Sequence, residues 1–263
     1  MAAHLRDAMS GFSGLLYTAW RALPATDKIT VRLTNGLRVT LRRPPAEDIL
    51  LFREIFIEEV YRTQENNSDC GKIERIIDVG SNVGYSVLWL AARFPTAKIL
   101  AFEPLPEHVA LLRKAITAND LNDRVSLFPV AVGTRAQDAY ISTNGLRSQL
   151  MFENGPMRVR TQVVDFFERA GDEVIDILKL DCEGSEYDLV MDRRFANLNV
   201  GTLLLEWHAN KNRPHADQEI AARLDELGWH ISHSVEGSTP TDPDTRIGVV
   251  HATRLSERAG RAP

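Results

Sequence analysis

The stretch IIDVGSNVGYSVLWL, residues 76–90, gives the clearest indication of the fold class. It begins as an apolar run typical of a buried strand, is broken by Gly80 and Gly84, and continues with apolar residues at helical spacing. Glycine permits the tight turn and close backbone approach that a strand-to-helix joint needs at a binding site. The stretch therefore predicts the first strand, ligand-binding turn and helix of an α/β domain.

Strand and helix patterns alternate downstream, through AKILAFEP, PEHVALLRKAITAND, DILKLDCEG, SEYDLVMDRRF and GTLLLEWH. This alternation predicts a parallel sheet with helices on both faces. RVSLFPVAVG is interpreted as one strand, and WHISHSV with RIGVVHATR as a closing antiparallel pair. Residues 1–70 predict a helix, a hairpin around Asn35 and Gly36, and a covering helix. We assign residues 71–254 to the main domain, residues 134–160 within it to a substrate lid, and residues 255–263 to a disordered tail.

The composition limits the classes of function. A net charge of −5 over 263 residues argues against nucleic-acid binding through general attraction to phosphate. The two cysteines, Cys70 and Cys182, provide no disulfide framework, which fits a reducing compartment. The N-terminus lacks a signal-peptide pattern, and no apolar run approaches the roughly 18 residues of a membrane span. The sequence predicts a soluble cytoplasmic protein that binds neither nucleic acid nor membrane.

Polar residues mark the ends of the predicted strands, where ligands of open parallel sheets bind. These residues are Asp78, Glu103, Ala131, Asp181 with Glu183, and Glu206 with His208. Glu103 follows the glycine turn by about 20 residues, the place of a ribose-binding acid. A carboxylate there accepts two hydrogen bonds from vicinal hydroxyls.

The glycine turn leaves two cofactors open. Asn82 replaces the middle glycine of the dinucleotide pattern G-x-G-x-x-G, and asparagine tolerates a positive φ. A dinucleotide places its pyrophosphate on bare glycine amides at a helix N-terminus, beside which Asp78 is unfavourable. S-adenosylmethionine has no phosphate, and its zwitterionic amino-acid end suits an acid at that position. A nicotinamide-dependent oxidoreductase on a similar sheet is the alternative to a methyltransferase.

Three segments, DVGSNVGYSVLWLA, AFEPLPEHVALLRKAITAN and DILKLDCEGSEYDLV, together resemble the FkbM family of S-adenosylmethionine-dependent methyltransferases. Ser81 stands where the family usually has alanine, and Cys182 where it has valine. The resemblance implies a Rossmann-like class I methyltransferase fold with a mostly parallel seven-stranded sheet. It also implies methyl transfer to a hydroxyl of a sugar, polysaccharide, glycolipid or related natural product.

The resemblance and the strand ends together give the cofactor-binding residues. The family often carries F-x-E-x-x-Y ahead of the glycine turn, which implies that Glu58 or Tyr61 reaches over the methionine end. The residues assigned to S-adenosylmethionine are Asp78, Gly80, Ser81, Asn82, Gly84, Ser86, Glu103, Pro104, Tyr61, Ala131 and Asp181.

Asp181 with Glu183, and Glu206 with His208, are predicted to converge at one sheet edge and to act on the acceptor. In one mechanism Asp181, Glu206 and His208 hold a divalent cation such as Mg²⁺, which lowers the pKa of the hydroxyl. In the other no metal binds, and His208, oriented by Asp181 or Glu206, takes the proton. Glu183 and Glu186 have an alternative role as caps of the following helix. The alternative role of Glu206 is that of a buried acid paired with Lys179 or Lys211.

The acceptor is predicted to bind against the lid, a segment rich in polar groups suited to sugar hydroxyls. These are Tyr140, Asn144, Arg147, Ser148, Gln149 and Arg158. The residues after the fifth core strand, 208–215, add further polar groups. A homodimer is expected on the precedent of the fold.

Overall fold

The computed structural model describes residues 8–9, 11–22, 26–43, 48–62, 73–142, 150–151, 155, 158–239 and 242–254. The predicted tail and the central lid residues Asn144, Arg147, Ser148 and Gln149 lie outside the described residues. The N-terminal part contains α1 (Gly11–Ala22), β1 (Lys28–Arg32), β2 (Arg38–Arg42) and α2 (Asp48–Phe56). Strands β1 and β2 form the predicted hairpin.

A seven-stranded sheet forms the core of the described chain. Its strands are β3 (Arg75–Val79), β4 (Lys98–Phe102), β5 (Val125–Phe128), β10 (Ile175–Leu180), β11 (Val200–Ala209), β12 (Trp229–Thr239) and β13 (Asp242–Arg254). The strand order is β12-β13-β11-β10-β3-β4-β5. The pairs from β5 to β11 are parallel, and β13 is antiparallel to both of its neighbours. The predicted Rossmann-like sheet, mostly parallel and seven-stranded, is confirmed.

Helices connect the parallel strands. They are α3 (Tyr85–Arg93), α4 (Pro106–Ala118), α5 (Phe166–Ala170), α6 (Ser185–Met191), a 3₁₀ helix (Arg193–Asn197) and α7 (Ala216–Glu226). Two large apolar clusters, one around Ile76, Leu88 and Phe52 and one around Leu178 and Leu203, fill the spaces on either side of the sheet. In the described residues no helix is both long and apolar enough to cross a membrane.

The order of the strands reverses between β3 and β10. From β3 the chain moves outward to β4 and β5, and it then returns to β10 on the other side of β3. All six residues of β10 are buried, as expected for a central strand with helices on both faces. The carboxyl ends of β3, β4, β10 and β11 therefore meet at one edge, where ligands of such sheets bind.

A second, four-stranded sheet is inserted between β5 and β10. It contains β6 (Ala131–Gly133), β7 (Gln137–Ser142), β8 (Leu150–Met151) and β9 (Arg158–Asp165), in the order β6-β9-β7-β8. The prediction of one strand over RVSLFPVAVG was therefore wrong. Pro129 separates β5 from β6, because proline has no N–H to donate to a ladder. The break turns the chain out of the core sheet and places Ala131 at the edge of the site.

The N-terminal hairpin packs on α3 and α4, outside the core sheet. The hydroxyl of Tyr85 donates to the carbonyl of Thr40 at 2.7 Å. Asn119, just past α4, accepts from the Arg38 amide at 2.7 Å and donates to the Arg38 carbonyl at 2.8 Å. These bonds anchor the hairpin to the helices that follow the first two core strands.

Candidate active site

The glycine turn after β3 uses a left-handed backbone at three positions. Gly80, Asn82 and Gly84 have φ of 76°, 49° and 98°, which confirms the positive φ predicted for Asn82. The amides of Gly80 and Ser81 both donate to the carbonyl of Phe102 at 3.0 Å. The turn is thereby fixed to the end of β4.

A cavity opens at this edge, between the turn and the inserted sheet. Among the residues assigned to the cofactor, Gly80, Asn82, Glu103, Pro104, Ala131 and Asp181 line it, as does Glu183. His108 of α4 and Ile141 of the inserted sheet are further lining residues that the sequence did not single out. The cavity thus joins the strand-end residues of β3, β4 and β10.

Glu103 presents its carboxylate to the cavity in a fixed orientation. The residue is only 5% exposed. Its Oε2 accepts from the Asn82 amide at 2.8 Å, and its Oε1 accepts from the Leu105 amide at 2.9 Å. Two backbone donors therefore hold the carboxylate beside the glycine turn before any ligand binds.

Asp78 lies beneath the turn rather than in the cavity wall. It is fully buried, with one oxygen 2.6 Å from the Ser86 hydroxyl and the other 3.1 Å from Lys179 Nζ. Ser81 and Ser86 are also buried. Asp78 and these two serines were assigned to the cofactor. Their observed contacts support the shape of the turn from below.

Lys179 is a buried cation that the sequence treated only as a possible partner of Glu206. Its Nζ contacts the carboxylates of Asp78 (3.1 Å) and Asp181 (3.5 Å) and the carbonyl of Gly80 (2.8 Å). It also lies 5.9 Å from the ring centroid of the buried Tyr61. Lys179 therefore joins the glycine turn to the end of β10.

Four side chains at the ends of β10 and β11 form what we call the acid–imidazole cluster, Asp181, Glu183, Glu206 and His208. One ligand atom from each of Asp181, Glu206 and His208 lies within 4.8 Å of the others. His208 Nε2 is 3.4 Å from Glu183 and 3.5 Å from Glu206. The convergence follows from the parallel neighbours β10 and β11, whose ends lie side by side.

Glu183 reaches the cluster by a different route from the one predicted. Extended strand geometry ends at Leu180, and Glu183 takes a positive φ of 54° in the turn before α6. A non-glycine residue in this conformation is uncommon and often marks a functional site.

Glu186 orients His208, a role that the sequence assigned to Asp181 or Glu206. Glu186 Oε1 lies 2.9 Å from His208 Nδ1, while both of its oxygens accept from the Gly184 amide. Glu186 is fully buried. Because it accepts from the Gly184 amide, it fulfils the predicted capping role, and it contacts the imidazole at the same time. The E-G-x-E spacing was a usable signal, because it places a second acid three residues beyond Glu183, about one helical turn.

The electrostatics of the cluster favour positive charge. Burial by itself lowers the pKa of His208, but Glu186, Glu183 and Glu206 raise it to about 10. Burial and the neighbouring Asp181 raise the pKa of Glu206 well above its ordinary value. In the absence of a metal ion, His208 and Glu206 therefore both carry a proton. These protons offset the negative charge of the neighbouring carboxylates. An imidazole that is already protonated cannot accept the proton of a hydroxyl.

Of the two residues that the F-x-E-x-x-Y motif assigned to the cofactor, Glu58 and Tyr61, only Tyr61 lies beside the glycine turn and the acid–imidazole cluster. The Tyr61 ring packs edge-on against Trp89 at 6.4 Å and lies near Lys179. Glu58 instead pairs with Arg53 at 2.5 Å. Tyr61 is thus the member of the F-x-E-x-x-Y motif that borders the turn and the cluster.

The strand order, the glycine turn and the cavity at the reversal point define a Rossmann-like methyltransferase. Residues 78–231 match the family model described as the methyltransferase FkbM domain. The chain belongs to the FkbM methyltransferase family, as its motifs predicted.

Individual proteins resemble the chain more distantly. The methyltransferase sdnD of Sordaria araneosa is 24% identical over 220 residues, covering 69% of this chain and 82% of that protein. The 31-O-demethyl-FK506 methyltransferase FkbM of Streptomyces tacrolimicus is 34% identical over 97 residues, covering 37% and 35%. The solved structure of M. jannaschii TYW2 in complex with AdoMet has a TM-score of 0.44 at 11% identity, covering 88% of each chain.

Proposed function

We propose that this methyltransferase uses S-adenosylmethionine to methylate a hydroxyl of a sugar, polysaccharide, glycolipid or related natural product. One observation carries the proposal: the cavity that presents Glu103 is bordered at Asp181 and Glu183 by the acid–imidazole cluster. An adenosyl donor bound in the cavity would lie beside groups that can hold and polarise a hydroxyl. Membership of a methyltransferase family removes the ground for the nicotinamide alternative.

The chain's own residues divide the work of binding the cofactor. Glu103 offers its free lone pairs to the ribose hydroxyls, since backbone amides already fix its orientation. Gly80, Asn82 and Asp181 border the amino-acid and sulfonium end. Asp78, Ser81 and Ser86 act through the shape of the turn, because they are buried beneath it.

The residues of the cluster fit a divalent cation. Asp181 and Glu206 offer carboxylate oxygens, and His208 Nε2 is buried with no hydrogen-bond partner in the described part of the chain. In and beside the cluster, five carboxylates lie around Lys179 and the imidazole of His208. The carboxylates are those of Asp78, Asp181, Glu183, Glu186 and Glu206. A cation such as Mg²⁺, when bound, would take the place of the protons on His208 Nε2 and Glu206, and it would lower the pKa of an acceptor hydroxyl.

The acceptor is held in line with the sulfonium methyl group, because methyl transfer is a direct displacement at that carbon. Alignment of the two reactants contributes roughly 7–11 kcal/mol to lowering such barriers. The side chains of Asp181, Glu183 and Glu206 are each about a quarter exposed, at 25%, 28% and 22%, so they can reach a ligand. Their side chains can hydrogen-bond the acceptor hydroxyl, and an ionised carboxylate among them can take up the proton that the hydroxyl loses when the methyl group is transferred.

The direct test is transfer of a labelled methyl group from S-adenosylmethionine to a panel of sugars and glycosylated natural products. Turnover with hydroxylated acceptors, but not with amine or thiol acceptors of the same shape, is the expected result. An absence of S-adenosylhomocysteine binding by calorimetry would overturn the proposal at its first step.

Glu103→Gln is expected to weaken S-adenosylhomocysteine binding. The amide lacks the charge that strengthens hydrogen bonds to the ribose, which are worth about 1.5–3 kcal/mol, or roughly 10- to 100-fold in affinity. Titration calorimetry measures the effect. Glu107→Gln is the matched control, because Glu107 is exposed in the first turn of α4. Equal affinities for the two variants would contradict the role of Glu103.

Removal of divalent cations with EDTA is expected to stop methyl transfer, and added Mg²⁺ is expected to restore it. Asp181→Asn should lower activity at saturating Mg²⁺ by at least the roughly 10- to 100-fold that the loss of a supporting partner of a metal site costs. Asp217→Asn, which alters an acid paired with Arg246 instead, is the control. Full activity in EDTA would refute the cation.

A further inference from the structure

The contact between Glu186 and His208 is the shortest of the three that the His208 ring makes with acidic side chains in the described structure. His208 Nδ1 lies 2.9 Å from Glu186, whereas Nε2 lies 3.4 and 3.5 Å from Glu183 and Glu206. Glu186 is fully buried, but the side chains of Glu183 and Glu206 are 28% and 22% exposed. Of the three acids, Glu186 is therefore the one whose position a ligand does not change.

The backbone holds the Glu186 carboxylate in place. Both oxygens accept from the amide of Gly184, at 3.0 and 2.9 Å. Gly184 has a φ of 106°, a conformation that points its amide back at the side chain two residues later. The carboxylate is thus fixed before His208 contacts it, and it can orient the ring.

We propose that Glu186 is a positioning residue that keeps the proton of His208 on Nδ1 and turns Nε2 toward Asp181 and Glu206. The inference rests on the proposed function, in which the cluster acts on the acceptor. It goes beyond that function by assigning the group that decides which imidazole nitrogen faces the acceptor.

The chemistry of the two groups supports this assignment. An ionised carboxylate only accepts hydrogen bonds, so the nitrogen that faces Glu186 has to donate. In a neutral imidazole the other nitrogen then carries the lone pair. That nitrogen is Nε2, which is buried, lacks a hydrogen-bond partner among the described residues, and faces the cluster. Carboxylates that hold imidazoles in this way are common around metal ligands.

Glu186→Gln tests the proposal without changing the shape of the side chain. The amide has one oxygen, which the Gly184 amide retains, so the NH₂ group faces His208. Nδ1 then has to accept, and its proton moves to Nε2. We expect kcat to fall by up to about 10,000-fold, the loss that a wrong histidine tautomer causes in a serine protease. Affinity for S-adenosylhomocysteine is expected to stay unchanged.

Nitrogen NMR of the full chain labelled at histidine gives a readout that a purely structural role does not move. His208→Asn identifies the signals of His208. The spectra are recorded with saturating Mg²⁺, which Nε2 can bind only after it gives up its proton. In the wild-type protein we then expect Nδ1 to be protonated and Nε2 to be unprotonated, and in Glu186→Gln we expect Nδ1 to be unprotonated. Asp165→Asn is the matched control, since Asp165 is a buried acid that caps α5 through the amides of Phe167 and Glu168. It should lower stability comparably and leave both kcat and the tautomer unchanged.

The outcomes separate the inference from the proposed function. A wild-type Nδ1 without a proton, or a Glu186→Gln protein with wild-type kcat, overturns the inference while methyl transfer stands. A wild-type protein that neither binds S-adenosylhomocysteine nor transfers methyl groups overturns the proposed function. The NMR measurement then still decides the contact. If Glu186→Gln does not fold, the wild-type spectrum alone decides the tautomer.

Discussion

Gly80→Ala is expected to abolish methyl transfer and to destabilise the protein by about 4 kcal/mol or more, a loss seen only for severe structural conflicts. A Cβ at this position would lie 1.6 Å from the carbonyl oxygen of Asp181 and 2.7 Å from its carbonyl carbon. Both atoms are backbone, so no side-chain rotation relieves the overlap. The end of β10 would have to move, and Asp181 and the glycine turn would move with it. Chemical denaturation and S-adenosylhomocysteine calorimetry measure the two effects.

Gly228→Ala is the matched control for this prediction. Gly228 has a φ of 73°, close to the 76° of Gly80, but a Cβ there meets no atom within 4 Å. Only the left-handed conformation is penalised, at about 1–2 kcal/mol. Similar losses for the two variants would show that backbone strain, and not the contact with Asp181, explains the effect at Gly80.

Lys179→Met is expected to cost about 3–5 kcal/mol, as does the removal of one partner from other buried ion pairs. The substitution leaves the fully buried Asp78 without its cation and frees Asp181 from an anchor at 3.5 Å. We also expect methyl transfer to be lost, since Asp181 belongs to the acid–imidazole cluster. Denaturation midpoints and turnover of labelled cofactor provide the measurements.

The double variant Lys179→Met with Asp78→Asn identifies the cause. Asparagine keeps the shape of Asp78 and its bond to Ser86 but carries no charge, so the buried anion disappears together with its cation. The double variant is expected to be more stable than Lys179→Met alone. A further loss of stability would mean that packing around the lysine stem, rather than an unpaired carboxylate, explains the single variant.

Periodicity was sufficient to predict the sheet and the convergence of Asp181, Glu206 and His208. Both pairs of polar residues follow apolar runs that read as adjacent parallel strands, and the ends of such strands share one edge. The break at Pro129 had a visible signal, because proline inside a strand pattern argues against a continuous central strand. The apolar residues on either side obscured it.

Contacts that depend on turn geometry could not be read in the same way. Glu186 meets His208 because Glu183 and Gly184 both adopt a positive φ, and the sequence does not specify that Glu183 does so. The pairing of Lys179 with Asp78 depends on the register of β10 against β3, where the two residues are direct neighbours. The opposite charges in two otherwise apolar strands indicated that the strands are neighbours, but they did not determine which residues lie opposite each other.

Strand β13 has a consequence for the order in which a nascent chain becomes an enzyme. It pairs with the whole second half of β11, with Val249 beside Glu206 and Ile247 beside His208. From the same strand, His251 Nε2 lies 2.6 Å from the carbonyl of Val60, next to Tyr61. On the ribosome, β11 therefore lacks one of its two neighbouring strands, and Val60 lacks its contact with His251, until residues 246–254 emerge. The chain carries every side chain of the acid–imidazole cluster well before that point, but the sheet beside Glu206 and His208 is completed only by this last strand.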